Sequence, residues 1–297
     1  MKPKVIVIIG PTASGKTDLS IRLAKELNGE IISADSMQIY KKMNIGTAKP
    51  TEEEKQGIKH HMIDIIEPNE NFNVAMYKKM AEEKIEEIIS KGKTPIIVGG
   101  TGLYVDTLAN GIEFLEIEND LEYRKELEEK ATSHGVDWLY KELEKIDPEA
   151  AKVIDKNNIR RVIRALELYK VTGKTKTQLD RESIKGSKYE YIIFGLNWDR
   201  EELYSRINLR VDLMINEGLI DEVNDLINNE GFSKTSLQGL GYKEVVEYIE
   251  GKTTKEEMIE KIKMETRRYA KRQITWFKKN KNIIWLDASN KEKMFLD

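Results

Sequence analysis

Gly10, Pro11, Thr12, Ala13, Ser14, Gly15, Lys16 and Thr17 spell G-x-x-x-x-G-K-T, the spacing of a loop that closes around phosphate. The glycines let successive backbone amides turn inward on an anion. Lys16 can reach the outer phosphate oxygens, and Thr17 can set its hydroxyl on a Mg²⁺ at the positive end of a helix. The flanking elements that such a loop requires are present. Val5 to Ile9 is a β-branched run, and Leu19, Leu23 and Leu27 follow four residues apart, so strand, loop and helix succeed one another. A phosphorylated ligand is implied. Its identity, and whether phosphorus is the atom attacked, stay open at this point.

A second short apolar run, residues 30–34, delivers Asp35 at its carboxyl end, the edge of an open α/β sheet where ligands sit. Asp35 reads as a catalytic carboxylate one strand along from the phosphate loop, or as a cap of the turn that follows. Residues 94–104 repeat the opening theme, an apolar strand ending in Gly99, Gly100 and Thr101 before a helix. This is a second candidate anion nest, or a turn whose glycines serve tight packing. Many nucleotide hydrolases need an acid at such a strand end to organise Mg²⁺ and water. The acid is missing here, which disfavours hydrolysis. Between these strands the Gly- and Pro-bearing stretch 46–50 reads as loop, and residues 60–66 as a strand. His60 and His61 are strand neighbours that face opposite ways, so hydrogen-bonding roles are expected rather than a shared ion. Asp64 is read as mid-strand rather than at a tip, which disfavours it as the usual acidic magnesium partner, although Asp35 or Asp64 could substitute for the missing acid. Asn73 is expected to cap a helix burying Val74, Tyr77, Ala81, Ile85 and Ile88.

The composition then changes. From about residue 113 to 187 the chain is charged, helix-forming and poor in β-branched residues, so the reading is an inserted helical domain (113–187) between two parts of an α/β core (1–112 and 188–297). Within the insertion Ile159, Val162, Ile163, Leu166 and Tyr169 mark a buried helix face, which leaves Arg160, Arg161 and Arg164 near the helix start. Arginines there oppose the helix dipole and suggest an anionic partner, or a solvated charged face. After a returning strand at 191–196, Asp199 caps a helix with Arg206 and Arg210 on one side. Two aligned guanidinium groups suit a diphosphate; surface pairing with Glu202 is the alternative. The stretch Gln238, Gly239, Leu240, Gly241, Tyr242 and Lys243 is read as a flexible polar turn. A long helix opens at the Thr254/Glu257 capping box and keeps Met258, Ile262, Tyr269, Gln273 and Trp276 inward. Between Lys261 and Lys281 it carries nine basic residues, Arg268 and Arg272 among them, against the single acid Glu265. With Trp276 and Phe277 interleaved, this resembles a phosphate-backbone footprint. Residues 282–286 form a last strand.

The totals narrow the classes. The 297 residues, 39% hydrophobic, suffice for an α/β core with an addition, and the net charge of -3 means any nucleic-acid contact is local rather than global. No cysteine and only three histidines argue against disulfide or thiolate-metal frameworks. No apolar run approaches the roughly 20 residues of a membrane span, and no signal layout opens the chain, so a soluble cytoplasmic protein away from membranes is expected; a monomer is the expected state.

Taken together, G-P-T-A-S-G-K-T (10–17), S-A-D-S-M-Q-I-Y (33–40), G-T-A-K-P (46–50), V-G-G-T-G-L-Y (98–104), Q-G-L-G-Y-K (238–243) and K-R-Q-I-T-W-F (271–277) closely resemble the tRNA dimethylallyltransferases. The resemblance spans nearly the whole chain. It implies a P-loop NTPase-like parallel sheet flanked by helices, with Mg²⁺ as cofactor. The implied reaction is transfer of a dimethylallyl group from dimethylallyl diphosphate to N6 of the adenosine on the 3′ side of a tRNA anticodon, releasing diphosphate. It also implies that Asp35 is the base and that Lys16, Thr101 and Arg210 hold the leaving diphosphate. Asp35, Ser36, Met37 and Gln38 would touch an extruded target base, together with Thr101. Arg124, Arg160, Arg161, Val162, Ile163, Arg164, the 238–243 turn, Arg268 and Arg272 would meet the anticodon stem-loop. A P-loop small-molecule kinase, a prenyltransferase acting on free adenine nucleotides and a nucleotide-controlled switch remain as alternatives. The kinase needs no basic helix, and no N-K-x-D guanine signature supports the switch.

Overall fold

The computed structural model describes residues 2–114 and 120–289. They fall into two compact units, one running to Ala109 and resuming at Ser187, the other Asn110–Gly186. Most of residues 114–120, which carry no motif, lie outside the described residues.

The first unit is built on a six-stranded parallel sheet of order β3-β2-β4-β1-β5-β6. In chain order it comprises β1 (Lys4–Ile9), α1 (Lys16–Glu26), β2 (Gly29–Ser33), α2 (Glu52–Lys55), β3 (His60–His61), α3 (Val74–Ser90), β4 (Thr94–Gly99) and α4 (Gly102–Ala109). After the second unit come β5 (Glu190–Asn197), α10 (Arg200–Asn216), α11 (Leu219–Asn229), α12 (Tyr242–Ile249), α13 (Lys255–Phe277) and β6 (Ile284–Asp287). A parallel sheet must be covered on both faces, and the strand pattern shows it. Val7, Ile9, Ile32 and Ile97 enter one apolar core with Tyr77, Ile85 and Val105, whereas Ile8, Ile31 and Ile96 enter the other with Leu19 and Ala24. Burying each such side chain contributes about 1.5–3 kcal/mol. Asn73 Oδ1 caps α3 by accepting from Ala75 N and Met76 N, and Thr254 forms its capping box with Glu257.

Three expectations are corrected. The strand read at 60–66 ends after His61, because Met62 (φ 63°) and Asp64 (φ 55°) are left-handed; from Asp64 N to Gln38 O and Ile65 N to Ile39 O the chain then runs alongside residues 38–40 up to the Tyr40–Ile66 bridge. His61 Nε2 lies 2.7 Å from Glu30 Oε2 and His60 Nδ1 2.8 Å from Ile58 O, while Asp64 binds the Lys49 ammonium at 2.5 Å. Second, β4 lies between β1 and β2, so Thr101, not Asp35, stands one strand from the phosphate loop; chain order does not reveal an inserted strand. Third, Phe277, read as part of an RNA footprint, is 2% exposed and belongs to the core, while Trp276, inward as expected, donates to Asp106 Oδ2 at 2.7 Å. Trp276 holds the basic helix to α4.

The second unit is helical: α5 (Leu121–His134), α6 (Val136–Ile146), α7 (Pro148–Val153), α8 (Ile159–Thr172) and α9 (Lys176–Ser183), with its ends joined by the antiparallel Ile112–Ile184 bridge. Leu127, Leu139, Leu143, Val162, Ile163 and Leu166 form its core. Tyr169, expected on that face, is 40% exposed.

Where β2 and β4 end, their backbones nearly touch. A Cβ on Gly99 would stand 2.2 Å from Ala34 O. Gly99→Ala is therefore expected to force the two strand ends apart at a cost of about 1–3 kcal/mol, read as a lower denaturant midpoint with an unchanged slope.

Candidate active site

Residues 10–17 can hold an anion only if their amides face one side and their carbonyls another. The structure supplies that division. Ala13 (φ 63°) and Gly15 (φ 86°) are left-handed, the alternation that gathers successive N–H groups into a concavity. The carbonyls are taken from behind: Trp198 Nε1 donates to Ser14 O (2.9 Å) and Arg206 Nε to Ala13 O (2.8 Å). Arg206 also stacks over the Trp198 ring at 4.4 Å. Gly15 gives α1 no side-chain cap, so the first-turn amides, which lack partners within a helix, remain for a ligand.

Gln273 of α13, buried beneath this loop, accepts from Thr12 N at 3.1 Å and donates to Gly100 O at 2.9 Å. It thereby joins the phosphate loop to the glycine turn after β4. A Cβ on Gly100 would lie 2.1 Å from Gln273 Nε2, which makes this glycine a requirement of the contact. Because Thr12's amide is engaged, the anion nest is formed by the residues after it.

Lys16 donates to Gly10 O (3.0 Å) and Pro11 O (2.7 Å). Burial, and then the neighbouring Arg210 guanidinium, lower its pKa to about 7, against an opposing pull from Asp35. Arg210 is also pushed down by burial, while Glu54 and Asp35 pull the other way. Asp35 Oδ1 accepts from Met37 N at 2.9 Å, closing the 35–38 turn. Both readings of Asp35 therefore coexist. One oxygen caps the turn, and Oδ2 has no hydrogen-bond partner among the described residues.

A cavity of about 650 Å³ gathers these groups. Its wall includes residues 12–17, Asp35, Ser36, Met37, Gln38, Arg206, Arg210, Gln238, Gly239, Leu240, Tyr269 and Arg272, with Ile207, Val211 and Met214 as an apolar side. Gly10 and Pro11 lie behind the wall. Thr101 is also behind it: its hydroxyl accepts from Ser36 N at 3.0 Å and lies 3.3 Å from Ser36 Oγ, so it steadies the turn that bears Asp35. Tyr242 is fully buried and Gly241 N donates to Glu244 Oε2. The supposed flexible turn is a 3₁₀ turn, Ser236–Gln238, running into α12. Lys243 is exposed away from the cavity, and Arg268 pairs with Glu265 at 2.6 Å.

In the second unit, Val162 and Ile163 are 0% and 3% exposed and cannot offer side chains to a partner. Glu167, fully buried on α8, binds Arg124 Nε at 2.8 Å and Arg164 Nη1 at 2.5 Å. These arginines have a structural duty that their position in the sequence did not signal. Arg160 and Arg161 are exposed.

Sequence reasoning missed the roles of Gln273, Trp198 and Arg206. Only the coincidence of a polar residue on an inward helix face hinted at the first.

Residues 38–280 match the family model described as IPP transferase. The chain is 52% identical over 286 residues to the tRNA dimethylallyltransferase of Acetivibrio thermocellus, covering 95% of this chain and 91% of that one. It is similar to the crystal structure of a tRNA isopentenylpyrophosphate transferase from Bacillus halodurans (TM-score 0.74, 47% identity, 99% of this chain and 93% of that one). It is also similar to a eukaryotic dimethylallyltransferase captured acting on tRNA (TM-score 0.79, 33% identity, 96% and 74%).

With Lys16 titrating near 7, an anion in the nest raises its pKa and draws in a proton. Below pH 7 the group is already charged and affinity is flat on its account. Above pH 7, diphosphate affinity is expected to fall by up to about tenfold per pH unit until the pKa of the bound state is reached. Calorimetry at pH 8 in buffers of differing ionisation enthalpy should show this proton uptake, and Lys16→Met should abolish it.

Proposed function

This chain belongs to the IPP transferase family, the tRNA dimethylallyltransferases, and from that premise we propose that it carries a dimethylallyl group from dimethylallyl diphosphate to N6 of the adenosine 3′-adjacent to the anticodon, releasing diphosphate. The observation that carries the reading is the shared cavity. A carboxylate with one unengaged oxygen and an anion nest headed by Lys16 open into one space with an apolar side.

In this reaction carbon is attacked. As the allylic C1–O bond breaks, its electron pair goes to the bridging oxygen and negative charge grows on the diphosphate. The amides of residues 13–17, Lys16 and Arg210 meet that charge in a site already organised for it. The lone pair of N6 is delocalised into the purine, so the amine attacks C1 only as its proton leaves. Asp35 Oδ2 takes that proton while Oδ1 stays fixed by the Met37 amide. Thr101 keeps the carboxylate in place through Ser36. Gln38, whose Nε2 donates to Thr47 O and Ala48 O and whose Oε1 accepts from Ser33 Oγ and keeps a second lone pair, is placed to accept from a purine edge. Since a stacked base cannot reach so enclosed a site, the adenosine must be swung out of the loop.

Mg²⁺ fits the donor set. Thr17 offers a hydroxyl on the wall, no cluster of three or more acidic or histidine ligands exists among the described residues, and Mg²⁺ commonly takes one or two protein oxygens with the rest from phosphate and water. Thr17 would hold it, and bound there it would neutralise diphosphate charge.

For the RNA backbone we propose exposed Arg160 and Arg161, with Lys271 and Arg272 on α13. Their phosphate contacts predict tRNA affinity that falls steeply with salt, by about tenfold or more between 50 and 200 mM for a few phosphates; a binding titration at the two salts checks it.

Labelled dimethylallyl diphosphate offered with tRNA or with AMP tests the assignment, and label is expected on tRNA alone. Asp35→Ala should lower transfer by about 10²–10⁴-fold while tRNA binding persists; wild-type turnover in that variant would remove Asp35 as the base.

A further inference from the structure

Glu222, on α11, stands outside the groups that line the active cavity, yet it is among the most fully bonded carboxylates of the fold. Its Oε2 accepts from Asn44 N (2.9 Å) and Ile45 N (2.8 Å), and its Oε1 from Gly46 N (3.2 Å) and the Tyr242 hydroxyl (2.7 Å). Three successive amides converging on one point form a concavity of the kind that elsewhere receives a ligand's phosphate or carboxylate. Here the chain fills it with its own side chain. Tyr242 is the matching support. Burial and the adjacent Glu222 hold its phenol protonated well above the usual range, so it donates, and its ring lies against Gly46, where a Cβ would come within 2.5 Å.

The loop so gripped has another face. Gln38 Nε2 donates to Thr47 O and Ala48 O, each at 3.3 Å, while Gln38 Oε1 accepts from Ser33 Oγ at 3.0 Å. The rotamer of Gln38 is therefore dictated by two carbonyls whose position depends on Glu222. The phosphate loop takes its supports from elsewhere, Gln273, Trp198 and Arg206.

We propose that Glu222, with Tyr242, is a positioning residue for the acceptor base: by clasping the 44–46 backbone it fixes the loop that orients Gln38 toward the purine, and it leaves the diphosphate end of the site untouched. The inference rests on the reaction proposed above and gives the Q-G-L-G-Y-K motif a purpose other than direct contact with RNA through its tyrosine.

The test is a substrate-resolved kinetic comparison using an anticodon stem-loop RNA. Glu222→Gln keeps the shape but turns an NH₂ toward an amide donor. It should lower kcat/KM for the RNA by about 10- to 100-fold, the scale set by a misplaced contact group, with affinity for inorganic pyrophosphate unchanged. Gly46→Ala, which pushes the loop off the Tyr242 ring, should reproduce that split. Tyr242→Phe removes one of the four donors and should cost about 2- to 10-fold. Wild-type kcat/KM for RNA in Glu222→Gln, or equal losses toward RNA and pyrophosphate, would overturn the proposal. Wild-type turnover measured on the same RNA separates that failure from failure of the assigned reaction.

Discussion

The constraint on which the site depends is a backbone one: a loop must show its amides to an anion while each carbonyl it turns away finds a partner. In this chain Lys16 takes the carbonyls of Gly10 and Pro11, while those of Ser14 and Ala13, and the amide of Thr12, are held from far along the sequence. Trp198, Arg206 and Gln273 stand 184, 193 and 261 residues from the loop groups they bind. The loop motif therefore supplies the amides, and the second half of the unit orients them. Gln273 adds a further condition, since its single amide spans both the phosphate loop and the turn after β4. Neither turn can shift without the other, and positions 99 and 100 must be glycine because a Cβ there would stand 2.2 Å from Ala34 O and 2.1 Å from Gln273 Nε2.

The same logic extends outward along α13. Gln273 faces inward and fixes the loop; Arg272, its neighbour, is exposed on the cavity rim. In the proposed reaction, a helix that offers exposed basic residues on one side and sets the anion nest on the other would connect the two substrates through a rigid element. That the aromatics of this helix are buried or bonded to Asp106 fits the arrangement, because a helix bearing such a load must be anchored.

Much of this was readable in the sequence where one residue type answers to one local need. The G-x-x-x-x-G-K-T run, the Asn73, Asp199 and Thr254 caps and the alternation in β1 all specify themselves within a few residues. What could not be read were facts of strand insertion and long-range pairing. Placing β4 between β1 and β2 leaves no mark on either, and a buried glutamate such as Glu167 looks like any helix acid until Arg124 and Arg164 are seen to converge on it. Motif membership also misled about exposure. Tyr242, Val162 and Ile163 sit within runs assigned to RNA contact, but their side chains are core, for a motif records that residues are needed and not which surface needs them.

The central claim is that the anion held before Lys16 leaves from carbon. Dimethylallyl diphosphate carrying ¹⁸O in the C1–O bridge, turned over with tRNA, decides it by mass spectrometry of the released diphosphate. Full retention of ¹⁸O in diphosphate, with an unlabelled isoprenoid on the RNA, is the predicted result. Label lost from the diphosphate, and recovered instead in an alcohol or on the RNA, would mean that phosphorus is attacked and would contradict the account.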